Sequence, residues 1–233
     1  GVSGDGTFYY VMELLNGMDL QTLVEEYGPL PPARAIHILQ QACESLAEAH
    51  DRGLIHRDIK PANIQICCIG HYFDYVKVLD FGLVKRAGVD SAVDVGLTAP
   101  NMVTGTPAYL SPESAQGEPV DQRTDIYALG CVAYWMLTGR QVFEGQNVVQ
   151  IIARHIHTAP EPPSLYSLFR IPPELDDIVL ACLAKGPEDR PASARELADR
   201  LAQCEVHEPW SRDHARLWWD SRLEPEPAVT FGD

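Results

Sequence analysis

Four side chains in the first half of the chain carry chemistry that a packed core does not need. Asp58, Lys60 and Asn63 lie within His56-Arg57-Asp58-Ile59-Lys60-Pro61-Ala62-Asn63, and Asp80 opens Asp80-Phe81-Gly82. Two carboxylates and a carboxamide supply the hard oxygen donors that a magnesium ion prefers. An ammonium placed two residues from a carboxylate points the same way in an extended loop and suits an anionic oxygen. The apolar stretch Val76, Val78, Leu79 reads as a short strand that delivers Asp80. Taken singly, each residue has a plainer reading: His56 as a core histidine, Asp58 as a turn residue, Asn63 as a cap. Their joint order and spacing outweigh those readings.

Both motifs resemble the catalytic loop and metal-binding turn of the eukaryotic-like Ser/Thr protein kinases, with a bacterial flavour. That resemblance implies phosphoryl transfer, in which the protein positions the acceptor hydroxyl and neutralises charge on the transferring group. Asp58 is implied to orient the hydroxyl and accept its proton, and Lys60 to meet the γ-phosphate of ATP. Asn63 and Asp80 are implied to share the Mg²⁺ ions. Lys60 followed by Pro61 resembles the Ser/Thr branch rather than the tyrosine branch. His56 is implied to be structural, stacking near Phe81. Arg57 is implied to bind a phosphate on the activation segment, for which Thr98 and Thr104 are the candidates. Thr98 is preferred because Thr104 sits close to the substrate-docking turn.

The resemblance continues downstream. Gly105-Thr106-Pro107-Ala108-Tyr109-Leu110-Ser111-Pro112-Glu113 looks like the end of an activation segment, with Ser111 where the family more often has alanine. Thr106 resembles the threonine whose hydroxyl bridges Asp58 and Lys60. Asp121-Gln-Arg-Thr-Asp125-Ile-Tyr-Ala-Leu-Gly130 resembles the start of a buried central helix, from which Asp125 would accept backbone N–H groups of the catalytic loop. Glu188-Asp189-Arg190-Pro191 resembles the late arginine motif, with Arg190 implied to pair with Glu113 in the interior.

Elements that could position these residues are legible from periodicity. Ile36, Leu39, Cys43, Leu46 and His50 recur at spacings of three and four, which predicts a helix begun by Pro31-Pro32 and closed by Gly53. Residues 126–138 are nearly all apolar and predict a helix buried on all sides. Ser193 and Glu196 form a capping box ahead of a helix carrying Leu197 and Leu201. Pro172-Pro173 opens another helix with Leu175, Ile178, Val179 and Leu183. The fold class expected is α+β, a kinase-like, mainly helical large lobe with the last strands of a small lobe.

Phe8-Tyr9-Tyr10-Val11-Met12-Glu13-Leu14-Leu15 is aromatic and β-branched and reads as the strand that runs into a hinge. By resemblance Met12 is the gatekeeper, the Glu13 carbonyl and Leu15 N–H address the adenine edge, and Asp19 reaches the ribose. Gln65, two residues past Asn63, stands where the family usually places an apolar floor for the adenine. The glycines at 1, 4 and 6 have the wrong spacing for a phosphate loop and read as a turn between two strands. No Val-Ala-Ile-Lys segment and no matching helix glutamate occur in these residues. Residue 1 is Gly rather than Met, so the sequence reads as a piece of a longer product, one expected to bind Mg-ATP weakly and to lack activity by itself.

Composition bounds the rest. Lys and Arg number 18 against 33 acidic residues, and the net charge of −15 argues against a nucleic-acid partner. Six cysteines show no Cys-x-x-Cys spacing and fall in apolar patterns, pointing to a reducing, cytoplasmic setting. Cys67, Cys68 and His71 lack a fourth ligand at metal-site spacing. Residues 1–204 are read as a partial kinase domain of hinge and large lobe, and 205–233 as a tail. There a short helix is expected to pack Trp210, Trp218 and Trp219 on the lobe, before the Glu224-Pro225-Glu226-Pro227 run begins a linker. The resemblance implies ATP and Mg²⁺ as cofactors, protein substrates as partners, and pairing of two copies for phosphorylation in trans. The alternative is a non-catalytic large lobe, a pseudokinase that binds partners.

Overall fold

A computed structural model of the chain describes residues 1–4, 6–9, 11, 13–81 and 106–222, with only the backbone of Thr106. It is mainly helical with one small sheet. In order, the elements are β1 (Gly17–Asp19), α1 (Leu20–Tyr27), α2 (Pro32–Asp51), β2 (Ile64–Ile69), β3 (Tyr72–Val78), α3 (Pro112–Gln116), α4 (Arg123–Thr138), α5 (Val148–His157), α6 (Pro173–Cys182), α7 (Ala194–Ala202) and α8 (Arg212–Asp220). No helix among the described residues is long and apolar enough to cross a membrane.

Helix α4 is the axis of the lobe. From Thr124 to Thr138 every residue but Trp135 is buried, so the helix needs neighbours on all sides. It finds α2 on one side and α6 on another, and α7 closes the bundle against α2. Gly130 makes the α4 to α6 approach possible, since a Cβ there would lie 2.7 Å from the Cys182 Cβ. Helix α2 starts with Pro32 in its first turn, as expected, and buries Ile36, Leu39, Cys43 and Leu46 on its inner face. Arg34 is buried on the same helix, which the apolar pattern did not foretell. At α7 the Ser193 hydroxyl accepts from Glu196 N–H, but the Glu196 carboxylate takes the N–H of Ala192 rather than that of Ser193. Only the first half of the expected capping box forms. Five of the six cysteines are buried, and burial pushes the Cys182 thiol up to about 12.

The sheet is antiparallel in the order β1-β2-β3. β2 and β3 form a hairpin in which Ile64 faces Val78 and Ile66 faces Val76, with a register shift between Cys67 and Ile69. β1 lies on the other edge of β2, Gly17 opposite Cys67 and Asp19 opposite Gln65. Glycine is required at 17 because a Cβ would come within 2.1 Å of the Ile66 carbonyl oxygen.

Upstream, the glycine-rich residues do form a turn: Val2 bridges Phe8, and Gly6 N–H donates to the Ser3 carbonyl. Among the described residues of 8–15, backbone pairing is confined to Phe8 and Tyr9, opposite Val2 and Gly1. Phe8 is 80% and Leu14 99% exposed, because a stable strand needs an apolar face to cover, and none meets these side chains. At the other end the tail does fold back as expected. Helix α8 lies on β3, and Trp219 is completely buried.

Candidate active site

The catalytic-loop backbone hangs from one buried carboxylate. Asp125, in the first turn of α4, accepts His56 N–H and His50 Nε2–H on Oδ2 and Arg57 N–H on Oδ1, each at 2.8 Å. Three donors on one oxygen pair hold a segment that has no regular structure of its own. Arg57 sits at φ +67 and is exposed, a conformation costly for a side chain with a Cβ and sustained here by the paired amides on either side. His56 is buried, with its ring centroid 4.7 Å from that of Phe81. Its Nδ1 accepts Asp58 N–H, so Nε2 carries the proton and donates to the Leu79 carbonyl at 2.7 Å.

Beyond this anchor the polar side chains converge. Lys60 Nζ donates to Asp58 Oδ2 at 2.7 Å, and Asn63 Nδ2 donates to the same oxygen at 3.1 Å and to the Asp58 carbonyl at 2.8 Å. Asn63 lies in the 3₁₀ turn Pro61–Asn63 that opens β2, and Pro61 supplies that turn with a preset φ. Asp80 follows β3, is exposed, and holds φ +61. Since Leu79 N–H donates to the Asn63 carbonyl at 2.9 Å, the hairpin brings Asn63 and Asp80 to the same end of the sheet.

The nucleotide side is thinner. Asp19 caps α1, its carboxylate accepting Thr22 N–H at 2.9 Å and the Thr22 hydroxyl at 2.8 Å. Gln65 is half-buried on β2 opposite Asp19 and Lys77. Leu15 is half-buried, and the exposed Glu13 carboxylate pairs with Lys77. Met12, Thr98, Thr104 and the linker from Glu224 to Pro227 lie outside the described residues, as does the side chain of Thr106.

Glu113 and Arg190 form a two-pronged pair, 2.8 Å on each prong, with both side chains buried. Arg190 also donates to the carbonyls of Ala184, Lys185 and Arg123, and Thr124 donates its hydroxyl to Glu113. Burial alone would raise the Glu113 carboxyl; the Arg190 guanidinium outweighs it and holds the group below the usual range. Ser111 caps α3 by accepting Ser114 N–H at 3.4 Å and donating to the Ser114 hydroxyl at 2.8 Å. That is a physical reason for serine at this position.

Two contributors escaped sequence reasoning. His50 was counted among the apolar stripe of α2, yet its imidazole is a ligand of Asp125; a polar residue on an otherwise apolar face was the available signal. A cavity of about 410 Å³ lined by His50, Leu54, Asp121 and Arg123 lies beside it and includes none of Asp58, Lys60, Asn63 or Asp80. Asp74, in β3, is buried against Arg34 and the tail, and no motif or periodicity pointed to it.

The protein kinase domain family model matches residues 2–204. The chain belongs to the protein kinase family. Within it, the serine/threonine-protein kinase PknB of Mycolicibacterium smegmatis is 43% identical over 228 residues, covering 96% of this chain and 35% of its own length. PknB of Mycobacterium tuberculosis is 43% identical over 201 residues, covering 86% and 31%. This kinase chain therefore spans about a third of the length of the curated relatives it matches. Among solved structures, the Mycobacterium tuberculosis PknI kinase domain superposes with a TM-score of 0.58 at 25% identity, covering 82% of this chain and 63% of that one. Rad53 in complex with AMP-PNP gives 0.64 at 27%, covering 81% and 45%. The α+β fold is that of the protein kinases, and the relatives are Ser/Thr kinases from bacteria.

The donors at the hairpin end fit a hard divalent cation. Asn63 Nδ2 is engaged by Asp58, which leaves its Oδ1 able to coordinate a cation, and Asp80 offers a carboxylate. No group of three or more His, Cys, Asp or Glu that could hold a metal occurs among the described residues. Two protein oxygens suit an ion whose remaining ligands are phosphate and water, as magnesium prefers.

Proposed function

We propose that this chain is the large lobe of a serine/threonine protein kinase that transfers the γ-phosphate of Mg-ATP to Ser or Thr hydroxyls of protein substrates. The observation that carries this reading is the convergence of Lys60 and Asn63 on Asp58 Oδ2 at 2.7 and 3.1 Å. A carboxylate held by these two donors keeps an oxygen for the acceptor hydroxyl. It orients that hydroxyl for in-line attack and takes its proton as the bond to phosphorus forms. Lys60, partly exposed, is placed to shift from Asp58 to the transferring phosphoryl oxygens, where a cation stabilises the transition state. Asn63 and Asp80 would hold Mg²⁺, which when bound neutralises phosphate charge. Glu13, Leu15, Asp19 and Gln65, with Met12, are assigned to the nucleoside side; the AMP-PNP complex of Rad53 supports a nucleotide ligand for the fold.

Arg57, exposed and next to the catalytic loop, is assigned to an activation-segment phosphate on Thr98 or Thr104, which two copies acting in trans would supply. No observation favours the non-catalytic reading, in which Asp58, Asn63 and Asp80 need not stand together. The test is radiolabel transfer to a protein substrate by protein extended upstream of Gly1 to include a Gly-rich loop and a strand lysine. Asp58→Asn and Asp80→Ala are each expected to lower kcat by at least about a thousandfold with unchanged circular dichroism. Near wild-type turnover by folded Asp58→Asn protein would reject the assignment.

A further inference from the structure

The tail does more than cover apolar surface. Asp74 is the third residue of β3, at φ +53, beside the register shift of the hairpin, and it is fully buried. Its carboxylate accepts four hydrogen bonds: Arg34 Nε and Trp210 Nε1 on Oδ2, both at 2.8 Å, and Arg34 Nη2 at 2.8 Å with Trp219 Nε1 at 2.7 Å on Oδ1. Four donors occupy the acceptor capacity of a carboxylate, two of them from Arg34 of α2 and two from the tail, so without the tail two of the four acceptor positions lose their partners. The Arg34 guanidinium lies over Trp218 at 3.9 Å and over Trp210 at 4.9 Å. Gln41 completes the grip on the strand, donating to the Asp74 carbonyl at 2.8 Å and accepting Val76 N–H at 3.1 Å.

We propose that the segment from Trp210 to Trp219 is a strap that positions Asp80 through Asp74, with the two indole N–H groups as its working parts; the proposal rests on the kinase reading above. A left-handed residue inside a strand stores strain and persists only where its surroundings determine it. Here the surroundings are the indoles and Arg34. From Asp74 the strand runs directly to Val78, opposite Ile64, and Leu79 N–H closes on the Asn63 carbonyl. Whatever fixes Asp74 therefore bears on the register at which the strand delivers Asp80 to the Asn63 end of the hairpin. A segment that served only as an apolar cover would not leave Leu217 61% exposed while aiming two indoles, Trp210 ahead of α8 and Trp219 within it, at one carboxylate.

Replacing Trp210 and Trp219 together by Phe retains the rings and removes both N–H donors. In the 233-residue chain, hydrogen exchange at the Val76 and Leu79 amides is expected to speed up at least about tenfold, while amides in the middle of α4 keep their protection. Unchanged exchange at those two amides would overturn the strap. In the extended protein, the Mg²⁺ concentration giving half-maximal rate is expected to rise about tenfold with kcat at saturating Mg²⁺ nearly kept, as for groups that act through a ligand's supporting shell. A lower Tm with unchanged Mg²⁺ dependence would show a merely structural role and reject positioning. Trp210→Phe alone, at a partly exposed ring, gives the same comparison should the double variant not fold; Leu217→Ala is the silent control. Absence of transfer by the wild-type extended protein would count against the kinase reading, and the exchange measurement would still decide the strap.

Discussion

Replacing Arg190 with leucine removes the cation that faces Glu113 while keeping much of the side-chain volume. The carboxylate left behind is 3% exposed and retains only the Thr124 hydroxyl as a side-chain partner. Three carbonyls, of Ala184, Lys185 and Arg123, lose a donor in the same step. Breaking a buried pair from one side costs about 3–5 kcal/mol, because desolvation is no longer offset. At about 2–4 °C per kcal/mol for a domain of this size, Tm should fall by roughly 10 °C. The pH dependence carries the sign. In the wild type the Glu113 carboxyl lies below its ordinary 4.5, so its contribution is complete above that value and is lost as pH falls through the lowered one. In the variant, burial without the cation pushes the carboxyl up, and protonation relieves it. The stability gap between the two proteins should therefore be widest at neutral pH and shrink toward pH 4. Urea unfolding at several pH values measures it. A gap under about 1 kcal/mol, or one independent of pH, would refute the claim that Glu113 is ionised and dependent on Arg190.

Three further outcomes are expected. Asp125→Asn keeps the shape but replaces an acceptor oxygen by an N–H₂ group facing the His56 and Arg57 amides or His50, so kcat in the extended protein should drop by at least about a hundredfold; retained turnover would show that the loop holds itself. Gln65→Leu, which puts an apolar side chain on the half-buried face of β2, should preserve or tighten ATP binding in calorimetry, and a large loss of affinity would show the amide to be a specific contact. Mass spectrometry of active protein should find phosphate on Thr98, with Arg57→Ala lowering activity several-fold; finding neither Thr98 nor Thr104 modified would count against that control.

The local features of the site were readable because their partners are close in sequence. Asp58, Lys60 and Asn63 lie within one turn-forming loop, and side chains two to five residues apart meet under short-range geometry alone. The helices were likewise announced by period and by their prolines, since burial of one face is written in spacing. Even the long-range pair Glu113 and Arg190 was legible, through motifs whose order along the chain resembles the family. Among the described residues of 8–15 the expected strand stops after Phe8 and Tyr9, because pattern reports β-capacity and not how far a ladder partner extends. The Asp74 cluster was invisible for a related reason: its partners stand 40, 136 and 145 residues away, and an expectation that the tryptophans pack on the lobe does not say which polar group their N–H donors meet. The sequence by itself thus determined the family, the helical lobe and the polar set of the catalytic loop, all encoded in local spacing. Only the tertiary structure decided that His50 braces Asp125, that Ser111 is a cap, and that three tryptophans and Arg34 close around a carboxylate in β3. Burial turns an unpaired polar group into a liability, and which distant groups relieve it is settled when the chain packs.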